Sequence, residues 1–139
     1  MGTMIRAELS SKNKYWVEKH RYYELKHFCL QYPIWKKAYA SLDGLSKRPA
    51  ELEQLQRTNT ISDPTAKCAE GKLYYSERIQ MVEDVANDTS SELSVYILRA
   101  VTEAISYEHL KARLDIPCSK DTYYELYRRF FWLLNKARK

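Results

Sequence analysis

From Ser119 onward the chain carries apolar side chains at the spacing of one helix face. Indexed at about 100° per residue, these side chains cluster on one side of a helix. They are Tyr123, Leu126, Tyr127, Phe130, Leu133, Leu134 and Ala137. A stripe of this width is stable only when it is buried, so the spacing predicts a long C-terminal helix packed on a core.

The rest of the chain favours helices as well. It has 3 glycines and 4 prolines among 139 residues, and 45% of its residues are apolar. So few breaking residues leave long helices as the default. The length fits one domain, or a helical core with a small appended module. We therefore predict an all-α fold, with a helical N-terminal region followed by a C-terminal helix-turn-helix.

Residues 1–61 are predicted to form an N-terminal region for oligomerisation or partner contact. A first helix is predicted over Ser11–Gln31, where a proline two residues later favours an end. A second helix is predicted over Pro33–Leu42, with proline in its first turn. The stretch Asp43–Ile61 loses its periodicity and is predicted to be a linker, with a helical turn near 50–56.

Lysines interrupt the apolar stripe of the first predicted helix. The stripe consists of Tyr15, Trp16, Tyr22, Tyr23, Cys29 and Leu30. Lys19 and Lys26 fall within it, which fits a basic aromatic surface that stacks bases. The pattern also fits a helix buried on two sides whose lysines extend along aromatic rings, and we favour this second interpretation.

Residues 62–101 are predicted to contain the central helices. The sequence Ser-Asp-Pro-Thr at 62–65 combines a capping side chain with a first-turn proline, and it opens a helix that we expect to reach Ala86. A polar stretch at 87–90 separates it from a further helix over Ser91–Glu103.

Residues 102–139 are predicted to form a helix-turn-helix that binds DNA. Ser106 can cap a short helix whose Leu110 and Leu114 face inward, and Pro117 prevents that helix from continuing. Ser119 can cap the next helix, which makes a tight corner between the two. The alternative is an amphipathic C-terminal helix with a solvated charged face.

The outer face of the last helix carries groups that can contact DNA. An arginine can hold guanine through two hydrogen bonds, so Arg128 is the best candidate for base reading. Lys120, Tyr124 and Arg129 suit phosphates or a thymine methyl group. Trp132 lies opposite the core stripe and should be covered by packing. This limits the expected reading surface to Ser119–Arg128.

Charge and cysteine content exclude several classes of protein. Residues 1–48 carry a net charge of +6, residues 49–101 of −4 and residues 102–139 of +3. Basic ends suit a polyanion. The 3 cysteines and 3 histidines lack metal-binding spacing, and no glycine loop for phosphate is present. We therefore predict a non-enzymatic cytoplasmic protein without a metal, cofactor or membrane partner.

Motifs in the C-terminal half resemble the ArpU and RinA families of phage transcriptional regulators, which are sigma-factor-like proteins. They are Ser62-Asp63-Pro64-Thr65, Ser106-Tyr107-Glu108-His109-Leu110, Asp115-Ile116-Pro117, Thr122-Tyr123-Tyr124 and Arg128-Arg129-Phe130-Phe131. The resemblance implies a promoter-reading helix-turn-helix similar to that of sigma factors. The stretch between Ile116 and Thr122 is longer than the turn of such modules.

The predicted function is transcription regulation at phage or prophage promoters. The predicted DNA contacts are Ser106, Tyr107, Ser119, Lys120, Asp121, Thr122, Tyr124, Glu125, Arg128 and Arg129. Double-stranded DNA, RNA polymerase and a second copy of the chain are the expected partners. Two alternatives are a DNA-packaging or accessory DNA-binding factor, and an inhibitor or anti-repressor that binds protein without DNA affinity.

Overall fold

The computed structural model describes residues 13–46 and 64–138. Within these ranges the regular structure is entirely helical and contains no strand, which confirms the predicted all-α class. The helices are α1 (Lys19–Leu30), α2 (Tyr32–Ser46), α3 (Pro64–Thr89), α4 (Ser94–Glu103), α5 (Tyr107–His109, continuing as a π-helical turn over Leu110–Leu114) and α6 (Lys120–Ala137). Residues 13–32 and 81–138 form one compact unit, and residues 33–46 and 64–80 form another.

The first helix begins at Lys19, so the predicted start at Ser11 is wrong. The Asn13 side chain accepts a hydrogen bond from the Tyr15 amide at 2.8 Å, and the Asn13 carbonyl accepts one from the Trp16 amide at 3.0 Å. This local turn competes with helix, as asparagine side chains often do. The Glu18 side chain then caps α1 by accepting hydrogen bonds from two backbone amides. Ser11 itself lies outside the described residues.

The late start also changes which residues of α1 form its buried face. The buried residues are Tyr22, Leu25, Phe28 and Cys29, and two of them, Leu25 and Phe28, were absent from the predicted stripe. The predicted stripe counted from Tyr15, which precedes the helix. Burial of Tyr15 and Tyr22 does not fit a base-stacking surface built on both rings.

The second helix runs beyond its predicted end at Leu42 and finishes at Ser46, so the beginning of the predicted linker is helical. The remaining part of that linker, with the turn expected near 50–56, lies outside the described residues. In the unit that contains residues 33–46 and 64–80, the Cys68 thiol donates a hydrogen bond to the Leu42 carbonyl at 3.2 Å. Gly71 of α3 permits this close packing, because a Cβ there would lie 2.7 Å from Leu42 Cδ1.

The third helix is described from Pro64, the predicted first-turn proline, and it extends past Ala86 to Thr89. The capping side chain predicted at Ser62 or Asp63 lies outside the described residues. The last residue of the helix, Thr89, is buried, and its hydroxyl donates a hydrogen bond to the Val85 carbonyl at 2.8 Å. The next helix, α4, begins at Ser94 instead of Ser91. The turn before it is closed by Ser90, whose hydroxyl accepts a hydrogen bond from the Leu93 amide at 3.2 Å.

The core of the larger unit lies where α1, α4 and α6 contact one another. Phe130 and Phe131 of α6 are both 0% exposed, and the Tyr22 ring of α1 meets Phe131 edge-on at 5.1 Å. The predicted core stripe of α6 did not include Phe131. The helix is buried on more of its circumference than that stripe covers, and Phe131 lies in the additional buried part. The same stripe included Ala137, which is exposed in the last turn.

Candidate nucleic-acid interface

Serine side chains cap the starts of α5 and α6, and both caps were predicted. The Ser106 hydroxyl accepts a hydrogen bond from the His109 amide at 3.2 Å. The Ser119 hydroxyl accepts one from the Thr122 amide at 3.2 Å and donates one to the Thr122 hydroxyl. Each cap satisfies a backbone N–H that the helix itself leaves unpaired. These three side chains from the predicted contact set therefore have a structural role.

Buried side chains fix the path of the chain between the two helices. Asp115 adopts a left-handed conformation, with φ of 51°, and ends the π-helical turn. Aspartate tolerates this conformation better than most residues. The next residue, Ile116, is fully buried, and the Tyr107 hydroxyl donates a hydrogen bond to the Cys118 carbonyl at 2.7 Å. Tyr107, a predicted DNA contact, thus holds the corner in place.

The N-terminal turns of α6 form one wall of an open cleft of about 460 Å³. Its other wall is the turn at residues 13–15, which the sequence did not associate with the site. On the α6 side the cleft is lined by Asp121, Tyr124, Glu125 and Arg128, which recur at helical spacing along one face. We call this region the outer-face cleft.

The charged side chains of the outer-face cleft are unpaired. Lys14, Asp121, Glu125 and Arg128 make no hydrogen bond or ion pair through their side chains within the described residues. The ammonium group of Lys14 lies 5.0 Å from the ring of its neighbour Tyr15. Charges of both signs therefore line one cleft without neutralising each other by direct contact.

Lys120, the first residue of α6, differs because it is paired. Its ammonium group lies 2.7 Å from a carboxylate oxygen of Glu108, and it also faces the Tyr124 ring at 5.6 Å. The hydrogen bond between Lys120 and Glu108 raises the pKa of the lysine and lowers that of the glutamate. This pair joins the two helices across the corner.

Arg129 does not lie in the cleft with the other predicted contacts. Its guanidinium group donates to the Asp88 carbonyl at 3.4 Å, near the end of α3. Its Nε is buried and has no hydrogen-bond partner within residues 13–46 and 64–138. Arg129 is therefore held against another helix of the same unit.

The C-terminal half of α6 is covered by other parts of its unit, as the position of Trp132 predicted. The centre of the Tyr15 ring lies 5.4 Å from that of the Trp132 ring. The Lys136 ammonium group also lies over the Trp132 ring, 3.4 Å from its centre. Arg21 of α1 donates a hydrogen bond to the Asn135 side chain at 2.7 Å. The expectation that packing covers Trp132 is confirmed.

The turn at residues 13–15 is the part of the site that sequence reasoning missed. The predicted helix over Ser11–Gln31 includes this turn, although asparagine favours a turn in which its side chain accepts a hydrogen bond from the backbone two residues on. Because the Tyr15 ring is fixed against Trp132, the turn is held beside the outer face of α6. Lys14 is thereby presented at the edge of the cleft.

Across the described ranges, no group of three metal-ligating side chains comes together, and no helix has both the length and the apolar composition to cross a membrane. Comparison of the chain with protein-family models, with curated proteins and with solved structures found no match.

Proposed function

We propose that this chain is a transcription regulator that binds double-stranded DNA through the N-terminal turns of α6. The observation that carries the proposal is the corner, where the Ser119 cap and the buried Ile116 fix the start of α6 while one face of its first turns stays open along the cleft. A fixed helix with one free face is what the major groove of DNA admits.

The side chains of this face have chemistry suited to DNA. Arg128 is unpaired and can hold the two acceptors of guanine. The hydroxyl groups of Ser119 and Thr122 lie at the exposed start of α6, where backbone N–H groups favour a phosphate. Lys120 can reach a phosphate once its exposed pair with Glu108 opens. Arg129 is left out of the proposed contacts.

The small size of one helix-turn-helix bears on the partners that the protein needs. A single helix-turn-helix covers a small interface, so useful specificity requires a second copy of the chain or a contact with RNA polymerase. The resemblance to phage transcriptional regulators supports a phage or prophage promoter as the target. Neutralisation of phosphates makes duplex binding steeply dependent on salt, whereas a chain that binds only protein has no affinity for duplex DNA.

The test is selection of duplexes from a random library by the full chain, followed by affinity measurements at several salt concentrations. We expect salt-sensitive binding with a sequence preference. Arg128→Ala should weaken the preference by about 1 to 3 kcal/mol, because one bidentate base contact is lost. Lys136→Ala is the matched control, since it removes an exposed cation from the far end of the same helix. Equal effects of both variants would contradict the proposed surface.

Exposed apolar side chains favour a second candidate, a chain that acts through protein contacts. In the unit containing residues 33–46 and 64–80, Ile34 is 65% exposed and Leu73 is 59% exposed. Burial of such side chains against a partner would remove apolar surface from water. The test is self-association measured by light scattering, with Val95→Ser as the control. Self-association that Leu73→Ser abolishes and Val95→Ser keeps, in a chain that does not bind duplex DNA, would favour this candidate over the first.

A further inference from the structure

The charged residues in and near the outer-face cleft fall into two groups, those that form an ion pair and those that do not. Lys120 and Lys111 each pair with a carboxylate, at 2.7 Å and 3.5 Å. Glu125 and Arg128, one helical turn apart, have no such partner within the described part of the chain. Neighbouring charges of opposite sign commonly pair on a helix surface, so side chains left apart are available to a ligand.

Unpaired charges of both signs suit base edges better than phosphates. A phosphate offers only acceptors, so a carboxylate beside it is repelled. A G·C base pair offers both kinds of group in the major groove, with acceptors on guanine and an amino donor on cytosine. Arginine is the usual partner of guanine, and glutamate or aspartate can accept from the cytosine amino group.

The opposite wall of the cleft contributes the cation of Lys14, whose backbone is held in a turn. Lys14 sits between Asn13, whose side chain closes the turn, and Tyr15, whose ring is buried against Trp132. Its backbone therefore loses little freedom when the side chain binds an anion. A flexible lysine is a suitable phosphate contact because it acts as a point charge without strict geometry.

We propose that the outer-face cleft reads one G·C base pair, with Arg128 on guanine and Glu125 on cytosine, while Lys14 holds a phosphate beside it. This inference rests on the proposed function and adds the base pair that is read and a phosphate contact outside α6. The turn at residues 13–15 is then part of the DNA-binding surface, and its sequence contributes to affinity.

The experiment uses the full chain and random duplex libraries, with three variants besides the wild-type protein. Glu125→Gln should weaken the selection for G·C at one position by about tenfold, because a charged acceptor is replaced by an amide that suits adenine. Lys14→Ala should lower affinity for all sequences alike and reduce the salt slope by about 0.9. Lys19→Ala is the control, because Lys19 is an exposed lysine of the same segment outside the cleft. Circular dichroism confirms that each variant is folded.

The outcomes separate this inference from the proposed function. No duplex binding by the wild-type chain at low salt would overturn the proposed function, and this inference with it. Duplex binding with no fixed G·C position, or a selection unchanged by Glu125→Gln, would overturn the reading of the base pair alone. A Lys14→Ala variant that matches Lys19→Ala in affinity and salt slope would remove the turn from the surface and leave the proposed function standing.

Discussion

The two halves of α6 have the same kind of sequence but different surroundings. Residues 120–128 bury chiefly one side chain, Tyr123, and leave their charged groups along an open cleft. Residues 129–137 bury Phe130, Phe131 and Leu134, and Trp132 opposite the core stripe is covered by Tyr15. Charged and aromatic residues occur in both halves, so composition does not distinguish them.

The difference shows that one helix can contribute both to the core and to an open, charged surface. The C-terminal half is held by contacts to α1 and to the segment before it, including the hydrogen bond from Arg21 to Asn135. The N-terminal half is packed as well, because Tyr123 is buried and its ring lies 5.3 Å from that of Tyr107, but the opposite face of this half stays open along the cleft. Binding should therefore respond to substitutions on the open face of residues 120–128, and stability to substitutions of buried side chains.

The largest expected effect on stability comes from the anchored half. Phe131→Ala should lower the free energy of unfolding by about 3 to 5 kcal/mol, because it leaves a cavity between the rings of Tyr22 and Phe130. On the open face of the N-terminal half, Glu125→Ala should alter it by less than about 0.5 kcal/mol, because this side chain is exposed. Denaturant unfolding followed by circular dichroism measures both. Similar losses in the two variants would show that the cleft face is packed as tightly as the core face.

A smaller effect is expected at the junction between α6 and the corner. Ser119→Ala should lower the free energy of unfolding by about 1 kcal/mol, since the Thr122 amide loses its capping partner. Ser91→Ala, at an exposed serine in the turn before α4, is the control and should change little. A Ser119→Ala protein as stable as the control would show that the first turn of α6 does not depend on its cap.

The smallest expected effect concerns the exposed pair of Lys120 and Glu108. The hydrogen bond from Lys120 lowers the pKa of Glu108 below its usual 4.5, so the stabilisation is present above that pH and is lost as the pH falls through the lowered value. The raised pKa of Lys120 means that the same stabilisation is also lost well above 10.5.

Thermal unfolding of Glu108→Gln tests this dependence on pH. The variant should unfold at a slightly lower temperature than the wild-type chain near neutral pH, and the difference should shrink in acid below 4.5. Glu92→Gln, at an exposed glutamate away from the corner, is the control. A difference that persists unchanged in acid would mean that the pair contributes nothing through its charge.

The sequence was sufficient to predict the features of the fold that depend on local chemistry. The caps at Ser106 and Ser119 follow from short patterns in which a hydroxyl accepts a hydrogen bond from an amide of its own helix. Pro64 suits the first turn of α3 because it has no N–H to leave unpaired and its φ is already helical. The covering of Trp132 followed from the large apolar ring alone, although its partner, Tyr15, could not be named.

The features that were not predicted depend on competition between alternative local hydrogen bonds, or on contacts between residues far apart in the sequence. The turn at Asn13 replaced the first turns of the expected helix, because a side-chain hydrogen bond outcompeted helical propensity. The buried Phe131 requires knowledge of which helices surround α6. The cleft combines residues more than a hundred positions apart, so no local pattern contains it.

The most direct test of the DNA-binding surface is to map where duplex DNA touches the chain. Amide chemical shifts of the full chain, recorded while duplex DNA is added, report each backbone position separately. We expect the largest changes at residues 13–15 and 119–128, and small changes at 129–137. Changes centred on residues 129–137, or no changes at low salt, would contradict the assignment of the open face of residues 119–128 as the DNA-binding surface.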